Sequence, residues 1–297
     1  MNAVAVVPVV AACLMAVASV AVAAGPASGF ARGYVDRLEQ AAKEDAGRND
    51  NDADSTGGSR ADKSAGEAHD AQGGAVVDRT AQVADAEAEA TGAGGATAAA
   101  TAVRVRSRGL LGALPQGVLA GILCAATLAW GLNRGEPVET IIALPVVALL
   151  GVAGSVDAVC HRLPDRLLGT AALWLVVAIV GRSLVRLATI EPAQVALWPA
   201  SRALLCALGV GAVVFVMWLI PASGMGLGDV KLCALLGLWL GYTAVEFAVT
   251  GVVVGFFLAG LVAIGLLITR RAGRKDMLAF GPYLAVGGWL AWLLAVA

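Results

Sequence analysis

The chain has little of what keeps a protein in water. Charged residues make up 14% of its 297 positions and aromatics 5%, whereas 59% are hydrophobic. With a mean hydropathy of +0.79, this excludes an ordinary soluble domain and points to a polytopic membrane protein. The five cysteines include no C-x-x-C pair, so neither a zinc knuckle nor a dithiol redox site is indicated. Four of them lie in apolar runs, where Cys acts as a small hydrophobe. Cys160 falls in a polar loop beside His161 and Arg162. No cluster of Lys and Arg is interleaved with aromatics, so no nucleic-acid partner is expected. No metal site and no cofactor are expected either. No internal repeat is visible, and two-fold transporters are built on such repeats.

Residues 45–108 lack aromatics entirely and are rich in Ala, Gly, Asp, Ser and Glu. A segment of that composition cannot bury enough apolar surface to offset its chain entropy, which predicts a disordered linker. Residues 25–108 hold most of the acids and almost half of the bases. The near-neutral total thus conceals a polar insert in an otherwise apolar chain.

What the sequence does contain is apolar runs. The first, 3–24, is about 20 residues long, the length needed to cross a bilayer. No Lys or Arg precedes it, as a signal peptide would require. An uncleaved first span is therefore expected, with Arg32 and Arg37 marking its cytoplasmic end. Phe30, Tyr34 and Leu38 then recur at helical spacing. They predict a short helix over 28–42 that either lies along the headgroups or extends the first span. Seven further runs follow, at 109–132, 139–156, 168–188, 196–220, 230–246, 247–268 and 279–297. The expected fold is all-α, a polytopic membrane protein with about eight transmembrane helices. Its expected organisation is a first span at 1–24, a cytoplasmic linker at 25–108 and a seven-span catalytic domain at 109–297.

Charge tests the topology independently. Alternation places the linker and the loops 157–167, 221–229 and 269–278 on one side. That side carries Arg162, Arg166, Arg270, Arg271, Arg274 and Lys275, while the opposite loops carry only Arg134. The positive-inside rule makes the first side cytoplasmic.

Two acids stand at the ends of spans, Asp157 and Asp229. Two spans separate them in sequence, so both reach the cytoplasmic face. Acids in such places are costly unless they have a partner or a role. Two carboxylates that meet in a low-dielectric site share a proton. One then serves as general base on water while the other serves as acid toward a carbonyl. Gly224, Gly226 and Gly228 alternate just before Asp229. Lacking Cβ, they let the backbone bend and let a substrate strand approach, and they permit close packing of spans. A plain alternative is an inter-helix loop with Asp229 capping the next helix.

These residues carry a resemblance. "SVDAVCHRLPDRLLG" (155–169), "GMGLGDVKLCALLGLWLG" (224–241) and "AFGPYLAVGG" (279–288) resemble, in order, three blocks of the prepilin peptidase (type IV leader peptidase) family. Those blocks read as an Asp followed by R-[IL]-P-[ND], then G-x-G-D-x-K-L, then P-F-G-P-[FY]-L. Asp165 replaces the more usual Asn, and Ala279 the more usual Pro. The resemblance implies a multi-pass aspartic endopeptidase of the inner (cytoplasmic) membrane, with Asp157 and Asp229 as the catalytic pair. It also implies prepilin or pseudopilin precursors as substrates. "SGFARGYVDRL" (28–38) resembles the family's N-terminal segment more weakly. The two C-x-x-C pairs of the members that also N-methylate are replaced here by the linker, so neither methyl transfer nor S-adenosylmethionine is expected. By the same resemblance Gly226, Gly228, Arg162, Pro164 and Lys231 bind substrate or shape the loops.

Plainer roles exist for several of these residues. Arg162 fits an inside-loop base, and Pro164 disfavours helix at Leu163, which restarts the next span. Helical spacing turns Lys231 away from Asp229, toward water. Arg182, Arg186 and Arg202 are expected to snorkel to the outer interface. Two other functions share parts of the pattern. A presenilin-like intramembrane protease shares G-x-G-D but has a P-A-L block in place of "FGPYL". A proton-coupled transporter using two acids places them deeper in the bilayer.

Overall fold

A computed structural model describes residues 3–37, 40, 112–160, 163–189, 192–220, 225–269 and 279–297. The disordered linker expected over 45–108, together with Arg162 and Gly224, lies outside the described residues. The chain divides into two compact units, residues 1–34 with 105–297, and residues 35–104. Of the second unit, only residues 35–37 and 40 are described.

Every described element is helical. α1 (Ala3–Val22) runs into a π-helical turn, Ala23–Ala27, and resumes as α-helix from residue 28 to 37. Pro26 lies in that turn. A proline has no N–H for the ladder, and a π-bulge is one way a helix absorbs the loss. The stretch around Phe30 and Tyr34 therefore continues the first span. Phe30 and Tyr34 stack on each other, with centroids 6.2 Å apart, as the four-residue spacing requires.

Seven helices follow: α2 (Ala113–Asn133), α3 (Pro137–Cys160), α4 (Asp165–Thr189), α5 (Ala193–Trp218), α6 (Leu227–Gly241), α7 (Val245–Ile268) and α8 (Gly281–Ala295). Six of the eight are long and apolar enough to cross a membrane. α6 and α8 have 15 residues each, about 22 Å at 1.5 Å per residue, less than the roughly 30 Å hydrocarbon core. The apolar sequence from 230 to 268 is two helices, not one, because Tyr242–Ala244 forms a turn between them. Gly135, with φ +75°, turns the chain between α2 and α3 in a conformation that side chains with a Cβ disfavour.

α3 is the centre of the bundle. Its most apolar window is 61% buried, against 22% for the other five long helices. It packs against α1, α2, α4 and α8. Its sequence, "TIIALPVVALLGVAGSVD", is apolar on every side, and such a helix belongs in a core. Its many small residues let neighbours come close. The outer helices instead present Leu173, Val177, Leu208 and Phe257, all more than half exposed, as a lipid-facing belt does.

α5 and α6 are in intimate contact, and one glycine sets their separation. A Cβ on Gly237 would lie 2.7 Å from the Cys206 carbonyl oxygen and 2.9 Å from the Ala207 Cα. Backbone cannot give way as a flexible side chain can. Gly237→Ala is expected to destabilise the fold by about 1–3 kcal/mol. Gly209→Ala, on α5 with nothing within 4 Å of the added carbon, is expected to be neutral or slightly stabilising. Thermal unfolding in detergent checks the contrast, and equal midpoints for the two variants would contradict it.

Candidate active site

Asp157 sits in the last turn of α3 and Asp229 in the first turn of α6. These are the same end of the bundle, since α3 ends there and α6 begins there. Both side chains are buried, with 4% and 6% of their surface exposed. Both helices pack against α4 and α8, which brings the two acids to one region of that end. Neither has a cationic partner among the described residues, where the two ion pairs are Arg182–Glu139 and Lys231–Asp165.

A single backbone amide anchors each carboxylate. The Gly281 N–H, at the start of α8, donates to Asp157 Oδ2 at 2.9 Å. The Gly226 N–H donates to Asp229 Oδ2 at 3.1 Å, and the Asp229 N–H donates back to the Gly226 carbonyl at 3.0 Å. Asp229 thus occupies the third position of α6 and reaches back to its N-cap, one arm of a capping box. The carboxylate also meets the partial positive charge of the helix N-terminus. Asp229 Oδ1 is buried and has no hydrogen-bond partner among the described residues. A buried acceptor without a partner is costly in a purely structural side chain. In a site, the same oxygen is left to bond water or substrate.

The glycines of the second block differ in purpose. A Cβ on Gly228 would lie 2.9 Å from the Leu163 Cβ, so this position holds the α3–α4 connection against the start of α6. Around Gly226 the nearest atom would be 3.8 Å away, which leaves ordinary space there. Pro164 starts α4, its carbonyl accepting from Leu167 N at 3.0 Å. Lys231 does not touch Asp229. Its Nζ pairs with Asp165 Oδ1 at 2.7 Å, both side chains more than half exposed, and such a pair contributes little.

One contributor was not singled out from the sequence. Gly281 belongs to "FGPYL", and a Cβ there would lie 2.7 Å from Asp157 Oδ2. Only glycine brings this amide onto the carboxylate. Two expectations need correction. Cys160 is not in a loop but ends α3, 5% exposed, because the helix runs four residues beyond the apolar stretch. Arg182, Arg186 and Arg202 do not simply snorkel outward, for all three line a cavity at the other end of the bundle.

Beside Asp157 lies a second cavity, of about 250 Å³, between α2, α3 and α8. Leu119, Leu123, Gly154, Ser155, Pro282 and Trp289 are among its walls, and the lining is almost wholly apolar. Among the described residues, no group of three His, Cys, Asp or Glu side chains is placed to hold a metal ion.

The chain is similar to known proteins over part of its length. Residues 144–269 match the model of the type IV leader peptidase family. A prepilin leader peptidase/N-methyltransferase of Aeromonas hydrophila is 39% identical over 71 residues, 24% of this chain and 23% of that protein. The protein of the same name in Pseudomonas putida is 30% identical over 177 residues, 57% of this chain and 54% of its own length. Leader peptidase HopD of Escherichia coli is 34% identical over 87 residues, 28% of this chain and 55% of that one. The match thus spans about a quarter to about half the length of these relatives. No solved structure matches the chain.

Proposed function

Because residues 144–269 match the model of the type IV leader peptidase family, we propose that the chain is a membrane aspartic endopeptidase. Its substrates are type IV prepilin-like or pseudopilin precursors, from which it removes the leader peptide. One arrangement supports this reading: two buried carboxylates at the same end of the bundle, on helices that both pack against α4 and α8, neither with a cationic partner among the described residues.

The chemistry follows from that arrangement. One carboxylate is ionised and the other carries the proton they share. A water between them gives its proton to the ionised carboxylate as its oxygen adds to the scissile carbonyl carbon. The protonated carboxyl gives its proton to the carbonyl oxygen. The tetrahedral intermediate then collapses, the C–N bond breaks, and the departing nitrogen takes back a proton. The anchoring amides of Gly281 and Gly226 hold Oδ2 of each acid, and Asp229 Oδ1 faces the reaction. General acid–base steps of this kind contribute about 10²–10⁴-fold each.

The precursor's apolar segment enters laterally and lies against the greasy cavity beside Asp157. Its leader stays on the cytoplasmic side of the inner membrane. Arg162 and Pro164 shape the first loop, and the open space at Gly226 admits the substrate backbone. Lys231 reaches Asp165 of α4 from near the start of α6, on the water side of the acid pair. The relatives' names also include N-methyltransferase, but this chain has no C-x-x-C pair, and we assign it peptide hydrolysis alone.

Co-expression with a prepilin, scored by the mass of the mature N-terminus, tests the reading. The expected product is a precursor shortened by its leader and carrying no added methyl group. A precursor of unchanged mass, with the enzyme present in the membrane, would overturn the assignment.

A further inference from the structure

The other end of the bundle holds an arginine-lined cavity of about 630 Å³ that leader cleavage does not use. It lies between the start of α3, the end of α4, the start of α5 and the turn after α6. Along α3, Glu139 in this cavity and Asp157 in the acid pair are about 27 Å apart at 1.5 Å per residue. That is close to the thickness of a hydrocarbon core, so the cavity sits at the opposite membrane surface.

Its charges do not cancel. Among the described residues, Arg182, Arg186 and Arg202 share the cavity with a single acid, Glu139. Arg182 Nη1 pairs with Glu139 Oε1 at 2.6 Å, and its guanidinium lies 4.5 Å above the Tyr242 ring. Arg202 is committed to the end of α6: its Nε donates to the Gly241 carbonyl at 2.9 Å and its Nη2 to those of Tyr242 and Thr243. Such bonds cap orphan carbonyls and suit the negative end of the helix dipole. Arg186 has no such commitment. Its Nε is buried with no hydrogen-bond partner among the described residues.

Tyr242 is the second, independent sign. The residue is 7% exposed and lines the cavity, and its buried hydroxyl has no partner among the described residues. Buried tyrosine hydroxyls ordinarily find one. A buried guanidinium N–H and a buried hydroxyl, both uncommitted, face a cavity with excess positive charge. An anion bearing several acceptor oxygens satisfies both, and a phosphate group is the match in charge and geometry for guanidinium donors.

We propose that this cavity binds a phosphate group, with Arg186 and Tyr242 as donors and Arg182 as supporting charge. The phosphate belongs either to a phospholipid headgroup or to free inorganic phosphate. The rim favours the lipid, because Trp198 and Val195 are more than half exposed beside the cavity, and interfacial tryptophan sits at headgroup level. The site is independent of the reading of the acid pair.

The test uses the full chain in neutral detergent, titrated separately with phosphatidylglycerol and with inorganic phosphate against chloride at matched ionic strength. Native mass spectrometry counts bound lipid, and thermal unfolding reports stabilisation. At least one of the two ligands is expected to bind the native chain and raise its unfolding midpoint. Arg186→Gln and Tyr242→Phe are each expected to weaken that binding about tenfold or more. Tyr242→Phe keeps the ring beneath Arg182, so it decides the matter if Arg186→Gln does not fold. Binding of the lipid alone assigns a headgroup site, and binding of inorganic phosphate assigns a free-phosphate site. If neither ligand acts beyond chloride, or if Tyr242→Phe binds as tightly as the native chain, the proposal is wrong.

Discussion

Asp157→Asn and Asp229→Asn are each expected to slow leader cleavage by about 10²–10⁴-fold, leaving precursor uncleaved while the enzyme still inserts. Asparagine keeps the shape of aspartate and keeps an oxygen for the anchoring N–H of Gly281 or Gly226. It cannot exchange a proton with water or with the scissile carbonyl. The loss should therefore appear in turnover, with helical content unchanged by circular dichroism. Because both acids serve one proton relay, the double variant should be little slower than either single one. Rates from a time course of precursor processing in membranes give all three comparisons. Normal processing by either single variant would remove the pair from the mechanism.

Gly281→Ala is expected to cost about 10²-fold in cleavage without replacing a titratable group. The added carbon would lie 2.7 Å from Asp157 Oδ2 and 3.1 Å from its Cβ and Cγ. Either the carboxylate swings away or α8 retreats, and both break the 2.9 Å hydrogen bond that aims the acid. Displacements of about 1 Å at a reacting group are enough for a loss of this size. Gly209→Ala is the control, for its new carbon on α5 would meet nothing within 4 Å and the residue has no part in the site. Cleavage by Gly281→Ala at the native rate would mean that the amide does not position Asp157.

The helices were legible because lipid imposes one pattern, and each apolar run of about 20 residues appears as a helix. Lengths were harder. α6 begins three residues before its apolar run but ends five residues short of its end, at the turn 242–244, and α8 gives up two residues at each end of its run, and hydropathy does not register a turn or a cap. The sequence left two readings for the stretch after residue 24, a headgroup helix or an extension of the first span, and the π-turn at Pro26 that carries the helix through has no signature in hydropathy. The acid pair was visible as charge at span ends, where charge needs a reason. Gly281 was not, because a glycine selected for what its missing carbon allows looks in sequence like any other glycine in an apolar helix. The arginine cavity was missed for a related reason. Hydropathy and the positive-inside rule treat Arg182, Arg186 and Arg202 one at a time, whereas their meeting with Glu139 and Tyr242 is a property of four packed elements.

Bridging the two acid positions tests the convergence of Asp157 and Asp229 most directly. With the five native cysteines replaced, Asp157→Cys and Asp229→Cys are combined in one chain and treated in membranes with the shortest thiol-bridging reagents. Mass spectrometry should find an intramolecular link between positions 157 and 229, and none when Asp229→Cys is combined with Glu139→Cys. Failure of the first pair to link, under conditions where both thiols are labelled singly, would contradict a shared catalytic site.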